Sequence, residues 1–169
     1  MIKVIIGDLV RDADQFSVIA HGCNCFCTMG AGIAKSIKEK YPEAYKRDCL
    51  TVKGSREKLG SLSVCKRKDN PQYIVNLYSQ YRTKMTEFDK PPIDYDALKS
   101  ALKKLKINCQ NKSLGLPLIG FGLALGKLEK ILDIYKETLS YLPDVTVVIW
   151  EGEVNAQQLR NGVDNYLNS

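Results

Sequence analysis

Short apolar runs and helical stripes alternate along the chain. Ile2 to Ile6 and Phe16 to His21 read as strands, and Ala31 to Tyr41 as a helix with Ile33, Ala34, Ile37 and Tyr41 on one face. Pro42 opens a second short helix through about Leu50. Leu62 to Lys66 and Tyr73 to Ser79 read as strands around a turn that ends at Pro71, and a polar loop runs up to Pro91 and Pro92. Asp94 caps a helix carrying Leu98, Ala101, Leu102 and Leu105 on one face. Leu114 to Ile119 is a short buried strand, followed by a helix from about Lys127 to Leu142 that Pro143 stops. Val145 to Trp150 is the last strand. Strands separated by helices predict an α/β fold with a mixed, largely parallel sheet covered on both faces. Residues 151–169 are polar with a weak helical signal and read as an extension.

Two strand–turn–helix junctions stand out. The first, His21-Gly-Cys-Asn-Cys-Phe-Cys-Thr-Met-Gly-Ala-Gly32, ends in small residues where a helix begins. Free backbone N–H groups converge on an anion in that geometry, usually a phosphate. The second is Gly120-Phe-Gly-Leu-Ala-Leu-Gly126, again between a strand and a helix. Neither junction carries the dinucleotide or P-loop glycine pattern. Each turn alone could need glycine only to bend. Together they can lie at the carboxyl edge of one sheet, where α/β folds bind ligands.

Four segments, in order and at characteristic spacing, carry a resemblance to a known family: Gly7-Asp8-Leu9, His21 to Ala34, Asn76-Leu-Tyr-Ser-Gln80, and Pro117-Leu-Ile-Gly-Phe-Gly122. Over residues 1–150 the chain resembles a macro domain, an ADP-ribose-binding module of three α/β/α layers. Its first junction is most similar to the branch containing ADP-ribose-1″-phosphate phosphatases. A branch that removes ADP-ribose from protein carboxylates or DNA bases shares Met-Gly-Ala-Gly-Ile-Ala.

The resemblance implies a site. Asp8 would accept the adenine amine beside the N–H of Leu9, and Met29, Gly30, Ala31, Gly32 and Ile33 would hold the pyrophosphate. Gly120, Phe121, Gly122, Leu123, Ala124 and Leu125 would close the other side. Asn24 would meet the distal ribose, or simply fix its own loop. In the carboxylate-directed branch a lysine attacks that ribose and an aspartate assists; the matching positions here are Gln80 and Ala124, which cannot do that chemistry. His21, Asn24 and Gln80 remain as the catalytic candidates, with His21 as general acid or base near neutral pH. The expected activity is release of the terminal phosphate of ADP-ribose-1″-phosphate, without metal or cofactor. The alternatives are a reader that binds ADP-ribose without turnover, and a hydrolase that frees ADP-ribose from protein or nucleic acid.

Composition narrows the setting. The 169 residues suit one domain, and 44% hydrophobic with 26% charged residues is ordinary for a globular chain. No apolar run approaches the roughly 20 residues that span a bilayer, and the first residues lack a signal-peptide core; a cytoplasmic protein without a membrane partner is expected. The six cysteines are expected as reduced, small hydrophobes. Cys23, Cys25 and Cys27 alternate beside His21, but structural zinc sites space their ligands further apart. Between Lys35 and Lys68 stand 11 basic and 4 acidic residues, a local net of +7 against +6 overall. The patch could be a solvated helix face, steer an anionic ligand, or contact nucleic acid. Aromatics are not interleaved with these charges as a single-strand stacking groove would require.

Overall fold

The computed structural model describes residues 1–83 and 90–169; most of the polar loop expected before Pro91 lies outside them. Six strands form one sheet: β1 (Ile2–Gly7), β2 (Val18–Cys23), β3 (Leu62–Lys66), β4 (Tyr73–Tyr78), β5 (Leu114–Leu116) and β6 (Val145–Trp150). Their order is β1-β6-β5-β2-β4-β3, with β3 antiparallel to β4 and the other pairs parallel. The helices are α1 (Gly32–Lys40), α2 (Pro42–Cys49), α3 (Tyr95–Asn108), α4 (Leu128–Leu139) and α5 (Ala156–Leu167).

A parallel strand covered on both faces buries every side chain, and so reads as a continuous apolar run. β6 obeys this, with Val145 to Ile149 buried without interruption. Two cores result, one on each face of the sheet. Ile19, Cys23, Ile74 and Tyr78 pack with Ile37 and Ala44 under α1 and α2. Val18, Val75, Leu114 and Val147 pack with Leu98, Leu102, Ile131 and Tyr135 of α3 and α4 on the other side. This is the expected three-layer α/β/α arrangement.

The C-terminal segment is part of the domain rather than an appendage. α5 buries Val163 and Leu167 in the second core, and Arg160 Nε donates to the carbonyl of Val4 at 2.9 Å. Asn168 pairs twice with the backbone of Ile2, at 3.0 and 2.8 Å. Ala156, Leu159 and Tyr166 pack beside them, so α5 presents an apolar stripe to the core although the segment as a whole is polar. Among the described residues no helix is long and apolar enough to cross a membrane.

The parallel direction carries the carboxyl ends of β1, β6, β5, β2 and β4 to one edge, and both glycine junctions start there. A cavity of about 440 Å³ between β2, β4 and the end of α3 lies at the opposite edge, lined by Val18, Tyr73 and Leu105 among others. It is remote from the junctions and takes no part in the site.

Candidate functional site

At the end of β1 the turn is built by Asp8. Its Oδ1 accepts the N–H groups of Val10 and Arg11, both at 3.0 Å, and its own N–H meets Asp12 Oδ2 at 3.3 Å. The second carboxylate oxygen stays open, and the N–H of Leu9 has no acceptor among the described residues. An acceptor and a donor side by side match the amine and ring nitrogen of an adenine edge. The side chain of Leu9 is buried, so the backbone, not the side chain, faces outward there. Trp150, paired in register with Gly7, stands next to this turn and is 58% exposed. Sequence reading passed over it as the last residue of a strand; the signal was the sole tryptophan at a strand's carboxyl end.

The first junction runs from β2 into α1. Met29 is buried, while Gly30, Ala31 and Gly32 are exposed. Helix α1 starts with Ala31 as its N-cap, no side-chain cap and no acid in the first turn. The first intrahelical bond belongs to Lys35, so the N–H groups of Gly32, Ile33 and Ala34 are orphans, and those of Gly30 and Ala31 also lack acceptors among the described residues. Gly32 has φ +58, which disfavours a side chain, and a Cβ there would lie 3.3 Å from Leu123 Cδ1. That proximity brings the second junction against the first.

The second junction is a closed loop. Gly126 N–H donates to the carbonyl of Gly120 at 2.6 Å, and Leu125 N–H to that of Gly122 at 3.0 Å. Gly120 adopts φ +86, and a Cβ on it would run into the Ile93 side chain, so glycine is strongly favoured there. Leu123 and Leu125 are 68% and 55% exposed, whereas Phe121 is half-buried against the core. The side chain of Ala124 is buried; its carbonyl accepts Ile93 N–H at 3.2 Å.

His21 is not at the mouth of the loop. It lies on β2 facing the α2 layer, fully buried, with Nε2 donating to Asn76 Oδ1 at 2.6 Å. Asn76 Nδ2 in turn donates to Ala44 O and Ser63 Oγ, and Ser63 joins Tyr78 OH and Asp48 Oδ1 in one buried chain. Burial pulls the imidazole down from 6.5 to about 4, against the opposing effect of the Asn76 bond. The ring is therefore neutral near pH 7 and shielded from solvent. The general acid–base role expected of His21 loses its geometric basis, because β2 is covered on both faces and this position packs beneath α2.

Asn24 is also buried. Its Nδ2 donates to Thr28 Oγ1 at 2.7 Å and its Oδ1 accepts Phe26 N–H at 2.7 Å, so the amide ties the loop to itself with one N–H to spare. Gln80 follows β4, half-buried, and its Nε2 donates to the carbonyl of Arg82 at 2.8 Å. The two are brought together through backbone: Cys25 Sγ lies 3.6 Å from the carbonyl of Gln80, and Cys25 N–H donates to Tyr81 O at 3.0 Å. All six cysteines are free thiols, and burial pushes Cys25 up to about 11.

What this edge can do is hold an anionic ligand: the unpaired N–H groups from Gly30 to Ala34 collect negative charge, with the acceptor–donor pair of Asp8 and Leu9 after β1 and the amides of Asn24 and Gln80 after β2 and β4. The chain is 34% identical to an uncharacterized 17.5 kDa protein of Enterobacteria phage T4, over 89% of the chain and 97% of that protein. It is 30% identical to a DNA ADP-ribosyl glycohydrolase of Mycobacterium tuberculosis over 89% of the chain, but only 42% of that protein's length. A shorter match, 40% identical over 49% of the chain and 39% of the relative, is to an ADP-ribose 1″-phosphate phosphatase of Aspergillus oryzae. The family model of the macro domain matches residues 20–135. With both glycine junctions inside that span, the chain belongs to the macro domain family.

Proposed function

We propose that the chain binds ADP-ribose along this edge and hydrolyses the terminal phosphate of ADP-ribose-1″-phosphate. The observation that carries the reading is the pair of opposed glycine junctions, whose N–H groups from Gly30 to Ala34 lack acceptors among the described residues. A pyrophosphate fits them, because small exposed residues let it approach the backbone. Asp8 and Leu9 select adenine, and the spare N–H of Asn24 reaches the distal ribose. The named phosphatase relative, matched over 49% of the chain, supports the terminal step. Phosphoryl transfer depends mostly on positioning and on charge stabilisation; those tasks fall to the loop N–H groups, Asn24 and Gln80. His21 acts as a positioning residue, holding the end of β2 through Asn76.

A second reading, binding without turnover, is favoured by one observation. None of the residues assigned to the distal end is charged: they are Asn24, Gln80 and Ala124. Incubation with ADP-ribose-1″-phosphate separates the two. Inorganic phosphate released in proportion to enzyme supports hydrolysis, while tight ADP-ribose binding with no release leaves the module a reader.

A further inference from the structure

Of the three alternating cysteines expected as small hydrophobes, Cys23 and Cys25 are buried, but Cys27 is half-exposed among polar groups. Its thiol donates to the carbonyl of Asp48 at 3.4 Å, and Thr51 Oγ1 lies 3.7 Å from the sulfur. Lys58 Nζ donates to the same sulfur at 3.5 Å. Groups 24 and 31 positions further along the chain thus close on one thiol. The backbone of Cys27 is left-handed, with φ +55, a conformation uncommon outside glycine.

Lys58 is a buried cation, only 8% exposed, and among the described residues it has no carboxylate within ion-pair distance. Its ammonium has three protons to donate. Thr51 Oγ1 takes one at 2.6 Å and Cys27 Sγ another, while the centre of the Tyr78 ring lies 4.7 Å from the nitrogen. Thr51 gives its own proton to the Asp48 carbonyl at 2.6 Å, so its oxygen accepts from the lysine. Asp48, the acid of the cluster, turns Oδ1 to Tyr78 OH at 2.7 Å instead. A buried ammonium without a counter-ion favours negative charge placed beside it. Cys27 is the neighbour that can take on such charge and still meet a reagent from solvent.

We infer that Cys27 is a peroxide-reactive thiol, with Lys58 and Thr51 forming the pocket for its sulfenic acid. The sulfur attacks one peroxide oxygen, an S–O bond forms as the O–O bond breaks, and the departing hydroxide takes the thiol proton and leaves as water. Sulfur is oxidised by two electrons and the peroxide is reduced. Negative charge develops on the attacking sulfur and then on the new oxygen, and Lys58 stabilises both. The other thiols lack this setting. Burial holds Cys25 and Cys109 up at about 11. Cys49 is more exposed than Cys27 but meets Tyr45 and, among the described residues, no cation.

The test treats the reduced full chain with hydrogen peroxide in the presence of dimedone, which traps sulfenic acids, and reads each cysteine by peptide mass spectrometry. Cys27 should gain the adduct at least about ten-fold faster than Cys49, the rate equivalent of one charge-assisted contact. Exposure alone predicts the reverse order. Lys58→Met keeps the buried stem without the charge and should slow Cys27 about ten-fold. Lys58→Arg, which keeps the charge, should preserve the preference for Cys27. Circular dichroism shows whether the variants fold, and the order within the wild-type protein decides without them. Labelling of Cys49 ahead of Cys27, or undiminished labelling of Cys27 in a folded Lys58→Met protein, overturns the site.

Discussion

Nε2 of His21 lies 2.6 Å from Oδ1 of Asn76, its partner in register on the adjacent strand. The sole histidine of the chain is thereby a cross-strand tie inside the molecule, and the residue that seemed most suited to acid–base work is occupied by structure. The tie reaches α2 through the carbonyl of Ala44 and β3 through Ser63. It connects the strand that launches the first glycine junction to the layer beneath it.

A pH dependence of stability follows. The folded imidazole titrates near 4 rather than 6.5. Between those values the unfolded chain takes up a proton that the folded chain refuses, so stability is full above 6.5 and falls as pH drops toward 4. A shift of that size corresponds to about 2–4 kcal/mol. Asp48, whose carboxyl burial raises above 3.8, works in the opposite direction, gaining stability as pH falls through its raised value. Urea unfolding of the wild-type protein at pH 7.5 and 4.5 should show the loss, and His21→Gln, which can still donate to Asn76, should show much less of it. An equal pH response in both proteins would mean the ring is solvated.

The phosphate junction gives a sharper test. Gly32→Glu places a carboxylate where orphan N–H groups collect an anion, and should abolish ADP-ribose binding in titration calorimetry. Gly32→Ala adds only a methyl at φ +58, beside Leu123. It should cost about 1–2 kcal/mol of stability from the left-handed backbone and leave weakened binding. Full affinity in a folded Gly32→Glu protein would make the turn merely structural.

Adenine selection should reside in Asp8. Asp8→Asn keeps an oxygen for the N–H groups of Val10 and Arg11, so the turn should survive. The charged acceptor for the exocyclic amine disappears, a loss of about 1.5–3 kcal/mol. The wild-type protein should therefore prefer ADP-ribose to its inosine analogue, and the variant should not. Competition between the two ligands checks this; an undiminished preference in Asp8→Asn places the adenine elsewhere.

Ending the chain after Asn155 should be severely destabilising. α5 buries Val163 and Leu167, each worth about 1.5–3 kcal/mol, and Asn168 closes both backbone bonds of Ile2. Thermal unfolding followed by circular dichroism should show a large drop in Tm or no cooperative transition. An unchanged Tm would restore the view of an extension.

What the sequence disclosed depended on how local the signal was. Continuous apolar runs such as Val145 to Ile149 and the amphipathic stripe from Leu128 to Leu139 announce their elements within a few residues, and both glycine junctions were legible for the same reason. His21 was not, since its partner Asn76 is 55 positions away and the strand pattern alone does not say how far both faces of β2 are covered. The meeting of Cys27 with Thr51 and Lys58 joins distant loops and leaves no linear trace. Trp150 was missed because one exposed aromatic is a weak pattern by itself, and the helical signal after residue 150 did not show that α5 packs into the core.

The most direct measurement is calorimetric titration of the full chain with ADP-ribose, with ATP as the competitor. The account predicts one site per chain with micromolar affinity, about −8 kcal/mol, and much weaker binding of ATP, which lacks a distal ribose for Asn24. Absence of ADP-ribose binding, or equal affinity for ATP, would contradict it.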